Sequence, residues 1–166
     1  PNAALAPLPR AQVSAPVPAQ QLLASLQTTV VAGVVQSGRI CAEALAASRL
    51  GTSVLLNGPT GESNRYRLLA RGPVWALPRT PLGLVHQVAA ALATGTPCHV
   101  VLPAQDNGCA AAWQALRAAA GDAGVAWLHS PDEQSWGDAQ APITALLFEG
   151  DGDALVLSTR RLLAVL

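Results

Sequence analysis

Residues 74–102, VWALPRTPLGLVHQVAAALATGTPCHVVL, hold the pattern that decides the fold. The short apolar run Val74–Leu77 is typical of a buried strand, whereas Pro81–Thr94 spaces its apolar residues along one face of a helix that Gly95 ends. Cys98–Leu102 is a second apolar run. Two such runs joined by a helix of this length form the crossover unit that pairs strands in parallel. The stretch therefore predicts a β-α-β unit.

The same alternation continues towards the C-terminus. The further predicted elements are a helix Gly108–Ala120 that Gly121 ends, a strand Val125–His129, a strand Ile143–Phe148 and a helix Ala154–Leu166 that Asp151 or Asp153 caps. Apolar runs such as 145–148 suit strands that are covered on both faces, as in parallel sheets. The fold class predicted for residues 72–166 is therefore α/β, with a Rossmann-like, mostly parallel sheet and flanking helices.

Three further segments precede this body. Residues 1–19 are rich in Pro and Ala, which predicts a linker or an extended arm. Residues 20–51 repeat their apolar positions at helical spacing, and Gly33 and Gly38 leave open whether they form one helix or two. Residues 52–71 predict a β-hairpin, because two strand-like runs flank a cluster of turn formers.

The composition excludes several classes of function. The 166 residues and 16.9 kDa suit one domain of ordinary size. Lysine is absent, and the arginines balance the acidic residues to a net charge of zero, so binding to nucleic acid is not expected. No apolar run approaches the roughly 20 residues of a membrane span. Because methionine is also absent, we expect an excised piece of a longer protein.

The cysteines and histidines do not assemble a reactive site. Cys41, Cys98 and Cys109 match no zinc-binding spacing and fit a reducing cytoplasm, so we expect small buried apolar side chains there. His99 and His129 could approach each other if their strands are neighbours. No nucleophile with an orienting acid accompanies them. The residues therefore predict no catalytic group and no metal site.

Two loops and one acidic cluster stand where nucleotide-binding or metal-binding motifs occur in other proteins, but each lacks part of the motif or has a simpler explanation. The turn 78–81 contains no glycine, whereas the dinucleotide fingerprint needs glycines that let the backbone approach the pyrophosphate. The loop Gly58–Ser63 looks like a phosphate loop but lacks its lysine, so a hairpin turn is favoured. The acids of Glu149–Asp153 stand at a strand-to-helix junction, where a helix cap is favoured over a metal site.

The region 71–166 contains five strings that match a known family, namely Arg71–Pro78, Pro81-Leu82, Ala89–Gly95, Leu102–Gln105 and Phe148–Asp151. With these strings the region resembles the NAD-binding domain of aldehyde dehydrogenases. The family has an asparagine in its first turn that donates to the oxyanion, and this chain has Arg79 and Thr80 there. The family holds the adenosine ribose with a lysine and a glutamate, and the matching positions are Leu102 and Gln105. The resemblance thus implies a degenerate copy that is not catalytic and holds no cofactor.

The hairpin region narrows this resemblance. Ser48–Thr52, Gly58–Asn64 and Leu68–Gly72 resemble the C-terminal domain of long proline utilisation A proteins, which combine an FAD-dependent proline dehydrogenase with an NAD-dependent glutamate-semialdehyde dehydrogenase. The resemblance implies a non-catalytic structural domain of a bacterial cytoplasmic enzyme. It would pack on the aldehyde dehydrogenase domain of its own chain or of a second protomer, and help enclose the tunnel that carries the intermediate. The implied interface residues are Gly58, Pro59, Thr60, Gly61, Glu62 and Asn64.

Two alternative functions remain open at this point. The first is a module that binds a small molecule at the carboxyl edge of the strands, which is where open α/β sheets bind their ligands. The edge residues are Pro78–Thr80, Gln105–Asn107, Ser130 and Glu149–Asp151. The second is a weak enzyme that uses Cys98 or Cys109. Self-association of the chain is also left open.

Overall fold

The β-α-β unit that residues 74–102 predict is confirmed by the computed structural model, which describes residues 12–13, 17–31, 33–105, 107–130, 144–153 and 155–156. Seven strands and four α-helices lie in these ranges. They are β1 (Gln12–Val13), α1 (Pro18–Ser25), α2 (Ser37–Ala47), β2 (Thr52–Leu56), β3 (Asn64–Arg67), β4 (Val74–Leu77), α3 (Pro81–Ala93), β5 (Cys98–Val100), α4 (Cys109–Gly124), β6 (Leu128–His129) and β7 (Ala145–Phe148).

The main sheet has four parallel strands in the order β6-β5-β4-β7. Val74 lies opposite Cys98 on one side and opposite Ala145 on the other, which puts β4 in the interior of the sheet. The chain therefore builds outwards from β4 through β5 to β6, and then returns to place β7 on the opposite side of β4. The predicted Rossmann-like α/β class is confirmed.

The ends of α3 follow directly from its sequence. Thr80 precedes Pro81, and its hydroxyl accepts a hydrogen bond from the backbone N–H of Gly83 at 3.0 Å, as expected of an N-cap residue. Gly95 ends the helix with φ +67°, a conformation that residues with a Cβ adopt at a cost.

Three boundaries in the second half differ from the prediction. Gly121 does leave the helical conformation, with φ 51° and ψ −150°, but α4 resumes as far as Gly124. Two tight turns follow, closed by hydrogen bonds from Val125 N–H to Asp122 O and from Trp127 N–H to Gly124 O. Residues 125–127 of the predicted strand 125–129 lie in these turns, so β6 has only two residues. β5 likewise stops at Val100, short of the predicted end.

The last predicted elements are described only in part. Ile143, the predicted start of β7, and residues 154 and 157–166 of the predicted last helix lie outside the described residues. Residues 155 and 156 are helical, and helical backbone begins at Gly152, directly after Asp151.

The predicted helical segment is two helices joined by a 3-10 turn, Leu26–Thr28. The Ser37 hydroxyl explains the separation, because it donates to Thr29 O at 2.7 Å and accepts from Val31 N–H at 3.3 Å. These bonds tie the connecting loop to the first turn of α2. α1 begins at Pro18, inside the predicted linker 1–19, because proline suits the first position of a helix.

The predicted hairpin is present, and the N-terminal arm adds a strand to it. β2 pairs with β3 in antiparallel register, Val54 opposite Tyr66, and β1 pairs with the other edge of β2. Neither β1 residue, Gln12 or Val13, is a proline, so the proline-rich arm still supplies two backbone positions for pairing. Residues 1–11 and 14–16 of the predicted arm lie outside the described residues.

One core joins the helical segment to the sheet. Leu23 and Leu26 from the N-terminal helices are fully buried with Leu84 and Leu92 of α3 and Leu116 of α4. Alternate residues of the sheet face the same cluster: Val74, Ala76, Cys98, Val100 and Leu128. Each large buried side chain contributes about 1.5–3 kcal/mol. None of the described helices is both long and apolar enough to cross a membrane.

Gly38 provides a test of this packing. A Cβ at Gly38 would lie 2.1 Å from the Gln27 carbonyl oxygen, so the backbones of α2 and of the 3-10 turn would have to separate. We expect Gly38→Ala to lower the free energy of unfolding by about 1–3 kcal/mol, measured by urea denaturation. Gly152→Ala is the matched control, because its Cβ would meet nothing within 4 Å and its φ is not positive. Equal denaturation midpoints for the two variants would contradict the described packing.

Candidate functional site

The candidate site is the carboxyl edge of the sheet beside β4. In an open α/β sheet, ligands bind at the point where successive strands are added on opposite sides of the first strand. Here that point is β4, because β5 lies on one side of it and β7 on the other. The turn 78–80 leads from β4 into α3 at this edge, and Glu149 follows β7 directly. Leu77 at the end of β4 lies opposite Phe148 at the end of β7, so the register brings the turn and Glu149 together.

The Glu149 carboxylate binds the turn and the first residues of α3. Its Oε2 accepts hydrogen bonds from the backbone N–H groups of Arg79 at 2.7 Å and Thr80 at 3.0 Å. Its Oε1 accepts from the Thr80 hydroxyl at 2.6 Å. That hydroxyl in turn accepts from Gly83 N–H. The carboxylate therefore occupies the N-terminus of α3, where the unpaired N–H groups and the helix dipole attract an anion.

Gly83 makes room for this carboxylate. A Cβ at Gly83 would lie 1.8 Å from Glu149 Oε2, and no other glycine in the described residues meets a nearer atom. The helix therefore has a glycine in its first turn, despite the cost of glycine in a helix, because the carboxylate lies against that turn. The anion position of α3 is filled by a group of the chain itself.

Glu149 is charged at neutral pH. Partial burial acts to raise the pKa of its carboxyl, but the hydrogen bonds from the Thr80 hydroxyl and from the N–H groups of Arg79 and Thr80, with the Arg79 charge, outweigh it. The pKa of Glu149 consequently lies below its usual 4.5. Hydrogen bonds to the charged form thus hold a fixed negative charge at this edge.

Asn107 connects the same turn to α4. Its side-chain amide donates to Arg79 O, and its Oδ1 accepts from Cys109 N–H at 3.3 Å. Of the edge residues predicted from sequence, the structure thus brings together Arg79, Thr80, Asn107 and Glu149. Ser130 is buried, and residue 106 lies outside the described residues.

The two positions implied to have lost ribose contacts differ in environment. Leu102 is half-buried and packs against the hydrophobic core, whereas Gln105 is exposed. Neither side chain has a described hydrogen bond to the turn 78–80. An apolar side chain at position 102 supplies no donor for a sugar hydroxyl.

The condition for an approach of His99 and His129 is met, because their strands β5 and β6 are neighbours. His99 and His129 lie opposite one another on β5 and β6, with ring centroids 4.7 Å apart, and Trp75 stacks on His99 at 6.0 Å. Burial, and then the charge of His129, lower the pKa of His99. Among the described residues, no group of three or more His, Cys, Asp or Glu side chains is placed to hold a metal ion.

All three cysteines are buried. Burial raises the pKa of Cys98 to about 12 and that of Cys41 to about 11. A nucleophilic cysteine needs its thiolate form, and burial in an apolar environment suppresses that form. These environments therefore suit core packing by Cys41 and Cys98 and do not suit catalysis.

Sequence reasoning missed the main interaction of this edge. The sequence predicts that the acids 149–153 cap the helix that follows β7, but the Glu149 carboxylate binds the start of α3, which is distant in sequence. One local signal was available, since Thr80 before Pro81 is a cap pattern and Gly83 stands where a helix disfavours glycine. Glu149 could not be identified as the partner of this helix start without the register between β4 and β7, which is not evident from local sequence.

The pH dependence of stability tests the Glu149 interaction. A carboxyl whose pKa is lowered on folding stabilises the folded state above its unfolded pKa, and this contribution is lost as the pH falls through the folded pKa. We therefore expect the wild type to exceed Glu149→Gln in unfolding free energy at pH 7, and the difference to shrink as the pH falls below about 4.5, measured by urea denaturation.

Two further variants sharpen this measurement. Gly83→Ala should remove the same pH-dependent contribution, because its methyl group displaces the carboxylate. Glu62→Gln, at an exposed hairpin position, should keep the wild-type profile. A difference between wild type and Glu149→Gln that is constant from pH 7 to pH 3 would argue against a charged Glu149 at this helix start.

The chain is similar in sequence to a known protein over part of its length. No family model matches the chain. The chain is 39% identical over 108 residues to the bifunctional protein PutA of Rhizobium meliloti. The match covers 65% of this chain and 8% of that protein, so the matched segment spans less than a tenth of the length of the relative. The chain is therefore similar in sequence to a segment of a bifunctional PutA protein, in keeping with the resemblance to proline utilisation A proteins found in its sequence.

Proposed function

We propose that the chain is a non-catalytic, aldehyde-dehydrogenase-like structural domain of a bifunctional proline-catabolic protein. The observation that carries the proposal is the Glu149 carboxylate on the N-terminus of α3. Rossmann-type domains present such a helix start to the phosphates of a dinucleotide. Here a fixed negative charge holds that position, and it would repel a pyrophosphate.

The neighbouring positions support the same reading. A bound NAD would find Leu102, whose side chain belongs to the core, in place of a cation near the ribose. Loss of a charged hydrogen bond costs about 1.5–3 kcal/mol, so a dinucleotide would be held weakly even if Glu149 moved aside. The same filled helix start also weakens the alternative of an anionic small molecule at this edge. The chain thus has the fold of a nucleotide-binding domain, but its anion position is occupied by Glu149. This combination fits a domain whose role is to contact a partner domain through its surface.

The hairpin is the surface that we assign to the partner. Its tip has a fixed shape, since Glu62 N–H donates to Pro59 O at 3.1 Å and Gly61 has φ +94°. A Cβ at Gly58 would lie 2.7 Å from the Asn64 side-chain amide, so these residues approach closely. The tip residues Gly58, Pro59, Thr60, Gly61, Glu62 and Asn64 are all exposed.

Exposed apolar side chains also lie along the hairpin strands, one on each face, because Tyr66 pairs with Val54 whereas Leu55 pairs with Arg65. Leu55 is 56% exposed and Tyr66 is 52% exposed. Within the described residues, β3 pairs only with β2, so its outer edge has open backbone groups. Exposed apolar groups beside an open strand edge are typical of an interface. We propose that the aldehyde dehydrogenase domain of the same chain or of a second protomer covers this hairpin.

With its hairpin covered by the aldehyde dehydrogenase domain, the chain would support the two-step oxidation of proline to glutamate without catalysing either step. The PutA relative is named as bifunctional, and the resemblance to that family implies FAD and NAD in its catalytic domains and a tunnel between them. In the proposal the chain holds neither cofactor, lies in the bacterial cytoplasm and helps enclose the tunnel.

A segment exchange tests the proposal. In Rhizobium meliloti PutA, the matched segment is deleted, or replaced by the corresponding segment of this chain with its hairpin. We expect the deletion to slow NADH formation from glutamate semialdehyde at least tenfold while proline dehydrogenase activity remains, and the exchange to restore the rate. Leu55→Arg in the exchanged segment should again lower the rate about tenfold, because it buries an unpaired charge in the interface.

Val125→Arg is the matched control, since Val125 is 60% exposed and directly follows α4, outside the hairpin residues 52–71. It should leave the restored rate unchanged. Equal rates for the deletion and the exchange, or for Leu55→Arg and the unmodified exchange, would refute the interface. Calorimetry of the isolated chain with NAD adds an independent check, and binding at micromolar strength would refute the non-catalytic assignment.

A further inference from the structure

A second candidate site lies at the opposite end of α3 from Glu149. It is a cavity of about 540 Å³ between the end of α2, the base of the hairpin and the last turn of α3. The 13 residues of α3 separate the two sites by about 20 Å. The volume falls within the range of about 300–1,000 Å³ that is typical of small-molecule pockets.

The walls of this cavity are apolar. The wall side chains are Ala44, Leu50, Leu68, Leu69, Ala90 and Ala93. The helix-end carbonyl groups nearby already have donors, because the Ser48 hydroxyl donates to Ala93 O and the Thr94 hydroxyl donates to Ala90 O at 3.0 Å. A ligand would therefore meet hydrocarbon over most of its surface.

The walls are held in place by local bonds. Leu50 N–H donates to Ser48 Oγ at 3.3 Å, and Gly51 N–H donates to Leu68 O at 3.1 Å. On the other side, a Cβ at Gly95 would lie 2.4 Å from Leu50 Cδ2, so Leu50 packs directly on the turn that ends α3. The cavity is thus bounded by fixed elements on three sides.

Two exposed arginines line the same cavity. The guanidinium groups of Arg49 and Arg71 have no hydrogen-bond or ion-pair partner in the part of the chain that the structure describes. Arg39 on α2 differs, because it pairs with Glu43 at 3.2 Å. A guanidinium group presents a planar set of donors that matches a carboxylate. Unpaired cations beside hydrocarbon walls complement a ligand with an anionic head and an apolar body.

We propose that this cavity binds a small amphiphilic carboxylate with a chain of about eight to twelve carbons, a size in keeping with pockets of this volume. The apolar chain would lie against Leu50, Leu68 and Ala93, and the carboxylate would lie between Arg49 and Arg71. The site uses a different surface from the hairpin tip, and it requires neither Glu149 nor a cofactor.

Calorimetric titration of the chain with octanoate, below its micellar concentration, tests the site. We expect saturable binding of one octanoate, at least tenfold tighter than that of 1-octanol, which has the same chain without the charge. The double variant Arg49→Gln/Arg71→Gln should weaken octanoate binding at least tenfold and leave 1-octanol binding unchanged. Ala90→Phe, which fills the cavity from an exposed helix position, should weaken both ligands.

Arg39→Gln is the matched control, because it removes an exposed arginine of α2 that does not line the cavity. It should bind octanoate as the wild type does, and circular dichroism should show the same fold for every variant. Absence of saturable octanoate binding, equal affinities for octanoate and 1-octanol, or undiminished binding by the double arginine variant would each overturn the proposal.

Discussion

The hydrogen bonds between Glu149 and the start of α3 connect two parts of this molecule that lie 70 positions apart in the sequence. A helix start has N–H groups without partners, and it needs an acceptor when it lies at the edge of a sheet. Glu149 supplies that acceptor from the residue after β7, and it thereby fixes β7 beside β4 and the turn that leads into α3. The same contact fills the anion position at the start of α3 with a carboxylate of the chain itself.

Much of the fold can be predicted from local sequence. The β-α-β unit of 74–102 follows from apolar runs around a helix with a cap and a glycine stop, and the hairpin follows from turn formers between two strand-like runs. The strand order cannot be obtained in this way, because nothing local places β7 beside β4. The extension of α4 beyond Gly121 is equally hidden, since a glycine that leaves the helical conformation need not end the helix.

The candidate sites are even harder to predict from local sequence than the strand order. Thr80 and Gly83 are recognisable as unusual residues at a helix start, but their partner depends on strand register. The cavity near Arg49 and Arg71 depends on three segments meeting, namely α2, the hairpin base and α3. Neither arginine is distinctive in sequence. The two ends of α3 thus carry opposite charges, a fixed anion at one end and unpaired cations near the other.

The outer strand of the hairpin has a consequence for selectivity. β3 is Asn64-Arg65-Tyr66-Arg67, and all four residues are exposed. An open strand edge can pair with any extended chain, which makes it a site of unwanted aggregation unless charge protects it. Two copies of β3 in antiparallel pairing would bring arginines close to one another, and like charges across a strand pair are destabilising. The positive charge of this edge therefore disfavours pairing with a second copy of β3 and favours pairing with a strand that carries acidic side chains, a distinction that the backbone groups alone would not make.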